Sequence, residues 1–136
     1  INQVIGEDEN SHSIKNTVAE DVIFSGDDFY LISLFQNLLD NAQKYSPDGS
    51  EIIIYSESNP SKIIICISDQ GVGIPDEEKS KIFDRFYRIE DEETRSSKGT
   101  GLGLFLVNQI VKMHGGKIVC KNNTPKGSIF ELHFKK

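Results

Sequence analysis

Residues Glu51–Ser58 have the sequence EIIIYSES, and residues Lys62–Ser68 have the sequence KIIICIS. Both runs are rich in the β-branched residues that favour strands. The three residues between them, NPS at 59–61, are typical of a turn, so the two runs are predicted to pair as a hairpin. This hairpin argues against a purely parallel, doubly wound sheet of the Rossmann type.

A helix is predicted on each side of this hairpin. Upstream, Gly26-Asp27-Asp28 supplies a turn and an N-cap, and Ser46-Pro47-Asp48-Gly49 ends the helix. Its apolar residues recur at spacings of three and four: Phe29, Ile32, Phe35, Leu38, Leu39 and Ala42. Downstream, a glycine-rich segment opens a second helix over Leu104–Met113, which ends at Gly115-Gly116.

Shorter β-prone runs complete the sheet. They lie at Ile14–Val18 and Val22–Phe24 before the first helix, and at Lys117–Lys121 and Ser128–Phe134 after the second. The alternation of helices with hairpins predicts an α/β fold with a mixed sheet. Its length suits one domain, which we place at residues 14–136.

The remaining segments carry fewer signals. Residues 1–13 have no clear period and are expected to be a linker or the end of an upstream helical region. After the central hairpin, the sequence Asp69-Gln-Gly71-Val-Gly73 predicts a glycine turn. A short helix is then predicted from near Asp76, with three apolar residues on it: Ile82, Phe83 and Phe86.

The composition is that of a globular chain with an acidic surplus. Its 136 residues include 15 Lys and Arg against 21 Asp and Glu, a net charge of −6. Because binding along a phosphate backbone needs basic charge, nucleic acid is not expected as a partner. No apolar run approaches the ~20 residues that span a bilayer, so a cytoplasmic domain is expected. Cys66 and Cys120 stand in apolar stretches and are expected to be reduced core residues.

Two asparagines on the first helix are candidates for ligand binding. Asn37 and Asn41 are four residues apart and share one helix face, with Lys44 and Tyr45 a turn later. These amides can cross-link neighbouring loops, or their oxygens can approach a hard cation while Lys44 faces an anion. Mg²⁺ bound to nucleotide phosphates keeps waters and takes few protein ligands, so one amide oxygen is enough.

Asp69 follows a strand that is nearly all isoleucine, and two glycines after it let a ligand come close. Aspartate at a strand end is often only a turn former. A carboxylate there can also accept from the exocyclic amine of adenine and repel the carbonyl of guanine, which would select one purine over the other.

The glycine-rich segment Gly99-Thr100-Gly101-Leu102-Gly103 is either a tight turn or a phosphate-binding helix entry. It does not fit the dinucleotide fingerprint, which needs glycine where Leu104 stands. It also lacks the Gly-Lys-Ser/Thr ending of a P-loop.

Together these segments resemble the five sequence boxes of sensor histidine kinases. The segment Asn37–Tyr45 is similar to the N box, Asp69–Gly73 to the G1 box and Ile82–Arg88 to the F box. Gly99–Leu104 is similar to the G2 box, and Lys126–Phe130 to the closing glycine motif. The boxes occur in order across residues 14–135. This resemblance implies the ATP-binding catalytic domain of such a kinase, with the Bergerat two-layer α/β sandwich, whose mixed sheet has helices on one face.

The resemblance also implies roles for particular residues. Asn41, with Asn37 beside it, would ligate Mg²⁺, and Asp69 would accept from the adenine amine. Catalytic roles would fall to Asn37, Lys44 and Arg88. The nucleotide-binding residues would be Asn41, Lys44, Tyr45, Asp69, Gly71, Gly73, Arg85, Arg88, Gly99, Thr100, Gly101, Leu102, Gly103 and Ser128.

The implied activity is transfer of the γ-phosphate of ATP to a histidine on a separate dimerisation domain, with a response regulator downstream. ATPases of the superfamily have glutamate at the position of Asn37, and an amide lacks that basicity. A slow clamp-type ATPase and a nucleotide-sensing module without transfer are the alternatives. His12, His114 and His133 lack the His-Glu/Asp-x-x-x-Pro acceptor pattern, so self-phosphorylation is not expected. The fragment is expected to be monomeric; full-length relatives are usually homodimers and often anchored in the inner membrane.

Overall fold

The computed structural model describes residues 13–18, 26–47, 49–84 and 103–135. The first half contains strand β1 (Ser13–Asn16), helix α1 (Asp28–Tyr45) and the hairpin of β2 (Glu51–Ser58) with β3 (Lys62–Ser68). A 3-10 turn at Asp76–Glu78 follows. The second half contains three elements: helix α2 (Gly103–Met113), strand β4 (Lys117–Asn122) and strand β5 (Ser128–Lys135).

The five described strands form one mixed sheet in the order β1-β2-β3-β5-β4. β1 runs parallel to β2, whereas the β2–β3, β3–β5 and β4–β5 pairs are antiparallel. The mixed sheet predicted from the sequence is therefore confirmed. This order makes β3 the central strand and puts its carboxyl end, at Ser68, beside the start of β5, at Ile129.

The two helices cover one face of this sheet. Burial alternates along β5, as expected for a strand that packs one face on a core. The buried cluster joins that strand face to both helices, with Leu38 from α1 and Val107 from α2 among its members. The result is the two-layer α/β sandwich that the sequence predicts.

A side-chain bridge holds the start of α1 against the end of α2. Asp27 caps α1 by accepting at Oδ1 from the backbone N–H groups of Phe29 and Tyr30. The backbone N–H of Asp27 in turn donates to His114 Nε2 at 3.1 Å. His114 Nδ1 lies 2.8 Å from the carbonyl of Ile110, one turn back in α2. His114 therefore joins the two helix ends.

Most element boundaries fall within two residues of their predicted positions, with one clear difference. The helix predicted from Asp76 to beyond Phe83 is a single 3-10 turn at Asp76–Glu78 followed by turns. Its bonds include i to i+3 pairs, such as Lys79 N to Asp76 O at 3.3 Å. Ile82 and Phe83 still pack against the core. The strand predicted at Val22–Phe24 and the linker predicted at 1–13 lie outside the described residues, apart from Ser13.

Both cysteines are free and buried, as expected. Burial raises the pKa of each thiol to about 11, so both stay protonated at neutral pH. Among the described helices, none is long and apolar enough to cross a membrane.

Candidate functional site

Asp69 lies at the carboxyl end of the central strand, where β3 meets β5, and only 4% of it is exposed. Its backbone N–H donates to Ser128 O at 2.9 Å. Its Oδ1 accepts two backbone hydrogen bonds, from Gly71 N at 2.9 Å and from Ser128 N at 3.1 Å. No described residue donates to Oδ2. One carboxylate oxygen is thus saturated by the fold, and the other is left to accept from a ligand.

Burial raises the pKa of Asp69, and the hydrogen bonds from Gly71 and Ser128 oppose that rise without cancelling it. The charged carboxylate is therefore under-solvated in the absence of a ligand. A neutral or positive donor at Oδ2 would relieve that cost, because buried charge is tolerated when it is hydrogen-bonded.

Glycines let two other segments approach this carboxylate. A Cβ on Gly71 would lie 2.5 Å from the carbonyl oxygen of Tyr45, at the end of α1. A Cβ on Gly127 would lie 2.0 Å from Asp69 O, and Gly127 has φ +105, which favours glycine. Gly73 has φ +79, and its Cβ position lies 3.6 Å from Gly127 O. The G1 box, Asp69–Gly73, is therefore packed between the end of α1 and the β4–β5 turn.

The asparagine face of α1 extends from this turn toward α2. Asn37, Asn41 and Tyr45 follow each other at four-residue spacing and so lie on one helix face. Asn37 Nδ2 donates to Ser33 O at 2.8 Å, and its Oδ1 lies 3.3 Å from the Cβ position of Gly103, the first residue of α2. Asn41 lies between Asn37 and Tyr45 on this face and is half-buried, and no described residue hydrogen-bonds to its side chain. One helix therefore connects the carboxylate end of the site with the N-terminus of α2.

The other predicted residues are distributed as follows. Lys44 is exposed, and its Nζ lies 5.5 Å from the ring centroid of Tyr45, so it is anchored beside the site as a cation–π pair. Ser128 is buried, its backbone N–H donates to Asp69 Oδ1, and its carbonyl accepts from the backbone N–H of Asp69. Six predicted residues lie outside the described ranges: Arg85, Arg88, Gly99, Thr100, Gly101 and Leu102.

Two polar residues of the site were not anticipated. Asn123, in the β4–β5 turn, donates from Nδ2 to Asp69 O at 2.7 Å. Lys79 Nζ donates to Ile74 O at 2.6 Å and to Asp76 Oδ1 at 2.5 Å, which fastens the segment after Gly73. In the sequence these two are an ordinary turn asparagine and an ordinary surface lysine. The contact of Asn123 with Asp69 joins residues 54 positions apart, whereas the contacts of Lys79 are local.

The structure thus combines a mixed sheet of five described strands, helices on one face of that sheet, and a buried carboxylate at the carboxyl end of its central strand. The chain belongs to the family of histidine kinase-, DNA gyrase B- and HSP90-like ATPases, whose family model matches residues 26–136.

Relatives narrow this class to sensor kinases. The chain is 43% identical over 100 residues to sensor protein SrrB of Staphylococcus aureus, an alignment that covers 74% of this chain. It spans only 17% of the length of that curated relative. Among solved structures, a mycobacterial sensor histidine kinase, MprB, has a TM-score of 0.79 at 32% identity, covering 92% of this chain and 82% of that one. The nucleotide-free catalytic domain of histidine kinase ThkA has a TM-score of 0.76 at 30% identity, covering 93% and 80%. The chain is thus a histidine kinase-type ATPase domain.

Proposed function

We propose that this domain binds ATP with Mg²⁺ and donates the γ-phosphate to a histidine on a separate helical dimerisation domain, as in two-component signalling. The observation that carries the proposal is the asymmetry of Asp69. Its Oδ1 is held by two backbone N–H groups, whereas Oδ2 has no donor among the described residues. The exocyclic amine of adenine is a donor of the required kind, and the carbonyl that guanine has at the same place is not.

The phosphate end of the site is supported by α1 and α2. The oxygen of Asn37 lies beside Gly103, at a helix N-terminus where backbone N–H groups and the helix dipole favour negative charge. Asn41 sits one turn along, half-buried and without a described partner, and so is available as an oxygen ligand. These residues fit Mg²⁺, with Asn41 as its ligand and Asn37 beside it. The metal, when bound, would neutralise charge on the phosphates.

The remaining roles follow the sequence boxes. Lys44 and Tyr45 are proposed to lie near the phosphates and ribose, and Gly71 and Gly73 to shape the adenine pocket. Ser128 is proposed to support the adenine side through a water. Arg88, with Arg85, is proposed to neutralise the γ-phosphate, and the segment Gly99–Gly103 to donate backbone N–H groups to the phosphates.

The chemistry at Asn37 favours transfer over hydrolysis. Its Nδ2 is already used in a hydrogen bond to Ser33 O at 2.8 Å, and its oxygen is an amide oxygen with little basicity. The site therefore lacks, at this position, a group that could take a proton from water. A bound ATP would wait for an external nucleophile, which an imidazole on another domain supplies. Residues 14–136 would then form one domain of a longer, dimeric protein that acts on a response regulator.

Nucleotide binding is tested by titrating ATP with Mg²⁺ into the 136-residue chain by calorimetry. Wild-type protein should bind ATP. Asn41→Ala should weaken the binding of the Mg²⁺ complex by at least about tenfold, because one polar interaction with a charged group is worth about 1.5–3 kcal/mol. Gln36→Ala is the matched control. Gln36 is an amide on the same helix, and among the described residues its Nε2 bonds only to Asp40, so its loss should leave affinity unchanged.

Transfer is tested with γ-labelled ATP and a sensor-kinase dimerisation domain added in trans. Label should appear on the histidine of the added domain and not on the 136-residue chain alone. Steady phosphate release without labelling, lost in Asn41→Ala, would instead identify an ATPase. Binding without either reaction would identify a nucleotide-sensing module.

A further inference from the structure

The turn between β4 and β5 reaches Asp69 through one side chain, that of Asn123. Its Nδ2 donates to the backbone carbonyl of Asp69 at 2.7 Å. Its Oδ1 accepts from Thr124 N at 2.9 Å, and its own backbone N–H donates to Gly127 O at 3.0 Å. Because both Nδ2 and Oδ1 of Asn123 are hydrogen-bonded, the orientation of the amide is defined. The half-buried side chain therefore joins the β4–β5 turn to Asp69.

We propose that Asn123 is a positioning residue for purine selection; this rests on the proposed binding of adenine at Asp69. Asn123 fixes the main chain of Asp69 from one side, while Gly71 and Ser128 fix Oδ1 from the other. Because the main chain and Oδ1 of Asp69 are both fixed, the position and direction of Oδ2 are fixed as well. A ligand donor must then lie at one defined position to bond with Oδ2. An amine at that place on a purine is bound, and a carbonyl there is repelled.

Asn59, which also lies in a hairpin turn, shows how the contacts of Asn123 differ from those of an ordinary turn asparagine. Asn59 also organises a hairpin turn: its Oδ1 accepts from the backbone N–H groups of Ser61 and Lys62, both at 2.9 Å. Those contacts stay within the turn. Asn123 adds a bond to a residue 54 positions away, at the site itself. Removing Asn59 therefore affects a turn alone, whereas removing Asn123 also frees the backbone that carries the selecting carboxylate.

The test measures the affinities of ATP and of ITP, which has a carbonyl in place of the adenine amine, by calorimetry with Mg²⁺ on the 136-residue chain. Two variants remove the bond: Asn123→Ala, and Asn123→Asp, which is isosteric and keeps an acceptor for Thr124 N but has no donor for Asp69 O. Both should lower the ATP affinity about tenfold, which corresponds to losing the oriented hydrogen bond from the adenine amine to the Asp69 carboxylate. The ITP affinity should change by less than about twofold, because ITP does not make that bond. Asn59→Ala should leave the ratio of the two affinities as in wild type.

The possible outcomes are separable. If the wild-type chain binds neither nucleotide, the proposed function fails and this inference with it. If wild type prefers ATP and the folded Asn123 variants keep that preference, the positioning role is wrong while ATP binding stands. An equal loss for ATP and ITP, or the failure of both variants to fold by circular dichroism, would reduce Asn123 to a structural residue and overturn the proposal.

Discussion

At the scale of a single residue, the two carboxylate oxygens of Asp69, the proposed adenine acceptor, are in different environments. Two backbone donors saturate Oδ1, and the surrounding core leaves the charged group poorly solvated. Burial of this charge costs stability, and a donor at Oδ2 would offset that cost. Such conflicts between local stability and function are typical of binding sites.

The substitution Asp69→Asn tests that arrangement. An asparagine can keep its oxygen toward Gly71 N and Ser128 N, which places an NH₂ donor where Oδ2 stood. ATP affinity should fall at least about tenfold, since a donor would face the adenine amine, and ITP affinity should rise relative to ATP. Since burial raises the pKa of Asp69, removing the charge should leave the free energy of unfolding at pH 7 unchanged or higher.

The control for this substitution is Asp40→Asn, at an exposed position of α1 where Gln36 is the one described residue that bonds to the carboxylate. It removes the same charge without touching the site, so its nucleotide affinities should match wild type. Unchanged ATP affinity in Asp69→Asn, with no gain for ITP, would contradict adenine recognition at this position.

At the scale of elements, the site depends on how closely the β4–β5 turn approaches the end of β3. Gly127 makes that approach possible because a side chain there would meet Asp69 O at 2.0 Å, and because its φ of +105 disfavours other residues. The same turn supplies Ser128 N to Oδ1. The turn is thus part of the proposed binding site as well as of the sheet.

The substitution Gly127→Ala should separate the turn from Asp69. We expect a loss of several kcal/mol in the free energy of unfolding, since a backbone contact cannot yield without shifting the strand end, and a loss of ATP binding in any folded fraction. Gly49→Ala is the matched control: Gly49 also has a positive φ, +81, but nothing lies within 4 Å of its Cβ position. It should cost only the backbone strain, about 1–2 kcal/mol, and keep ATP binding. Equal effects of the two substitutions on urea denaturation would contradict the packing argument.

The elements differ in how far the sequence predicts them. α1 and the β2–β3 hairpin match their predicted bounds because their limits are set locally, by the Asp27 cap and by a turn at Asn59. The segment after Asp76 could not be predicted in the same way. It forms one 3-10 turn at Asp76–Glu78 instead of a regular helix, and Lys79 bonds there to Ile74 O and to the Asp76 carboxylate.

The site shows the same division. Residue types and spacing were enough to propose Asp69, Asn37, Asn41 and the glycines as candidates. The sequence could not show that Oδ1 is saturated while Oδ2 is left open, because that depends on Ser128, 59 residues away. Nor could it single out Asn123, whose contact with Asp69 exists only once β3 and β5 are paired.

At the scale of the whole molecule, the buried Asp69 and the half-buried Glu131 should give opposite dependences of stability on pH. Glu131 lies on β5, on the face of the sheet that points away from the helices. Its Oε1 lies 3.1 Å from both Lys121 Nζ and His133 Nε2. Burial by itself would raise the pKa of Glu131, but the hydrogen bonds from His133 and Lys121 outweigh it and hold the pKa below its ordinary value. The pKa of Asp69 is shifted the other way.

The signs follow from proton linkage. A lowered pKa in the folded state means that Glu131 stabilises the fold above the unfolded glutamate pKa of about 4.3, and that this contribution is lost as pH falls through the folded value. A raised pKa means that the contribution of Asp69 is fully present below the unfolded aspartate pKa of about 3.9 and is lost as pH rises through the folded value. Relative to wild type, Glu131→Gln should therefore be less stable at pH 7, with the gap closing toward pH 4. Asp69→Asn should be at least as stable as wild type at pH 7, with any advantage shrinking as pH falls.

Urea denaturation between about pH 4 and pH 7.5 measures both differences, and urea leaves the ionic strength unchanged. Glu57→Gln, at an exposed strand position, is the control and should track wild type throughout. If Glu131→Gln and Asp69→Asn changed stability with the same pH trend, at least one of the two acids would not be in the environment described here. Opposite trends would show that Lys121 and His133 keep Glu131 charged, whereas burial makes the charge of Asp69 unfavourable, as the proposed role of Asp69 requires.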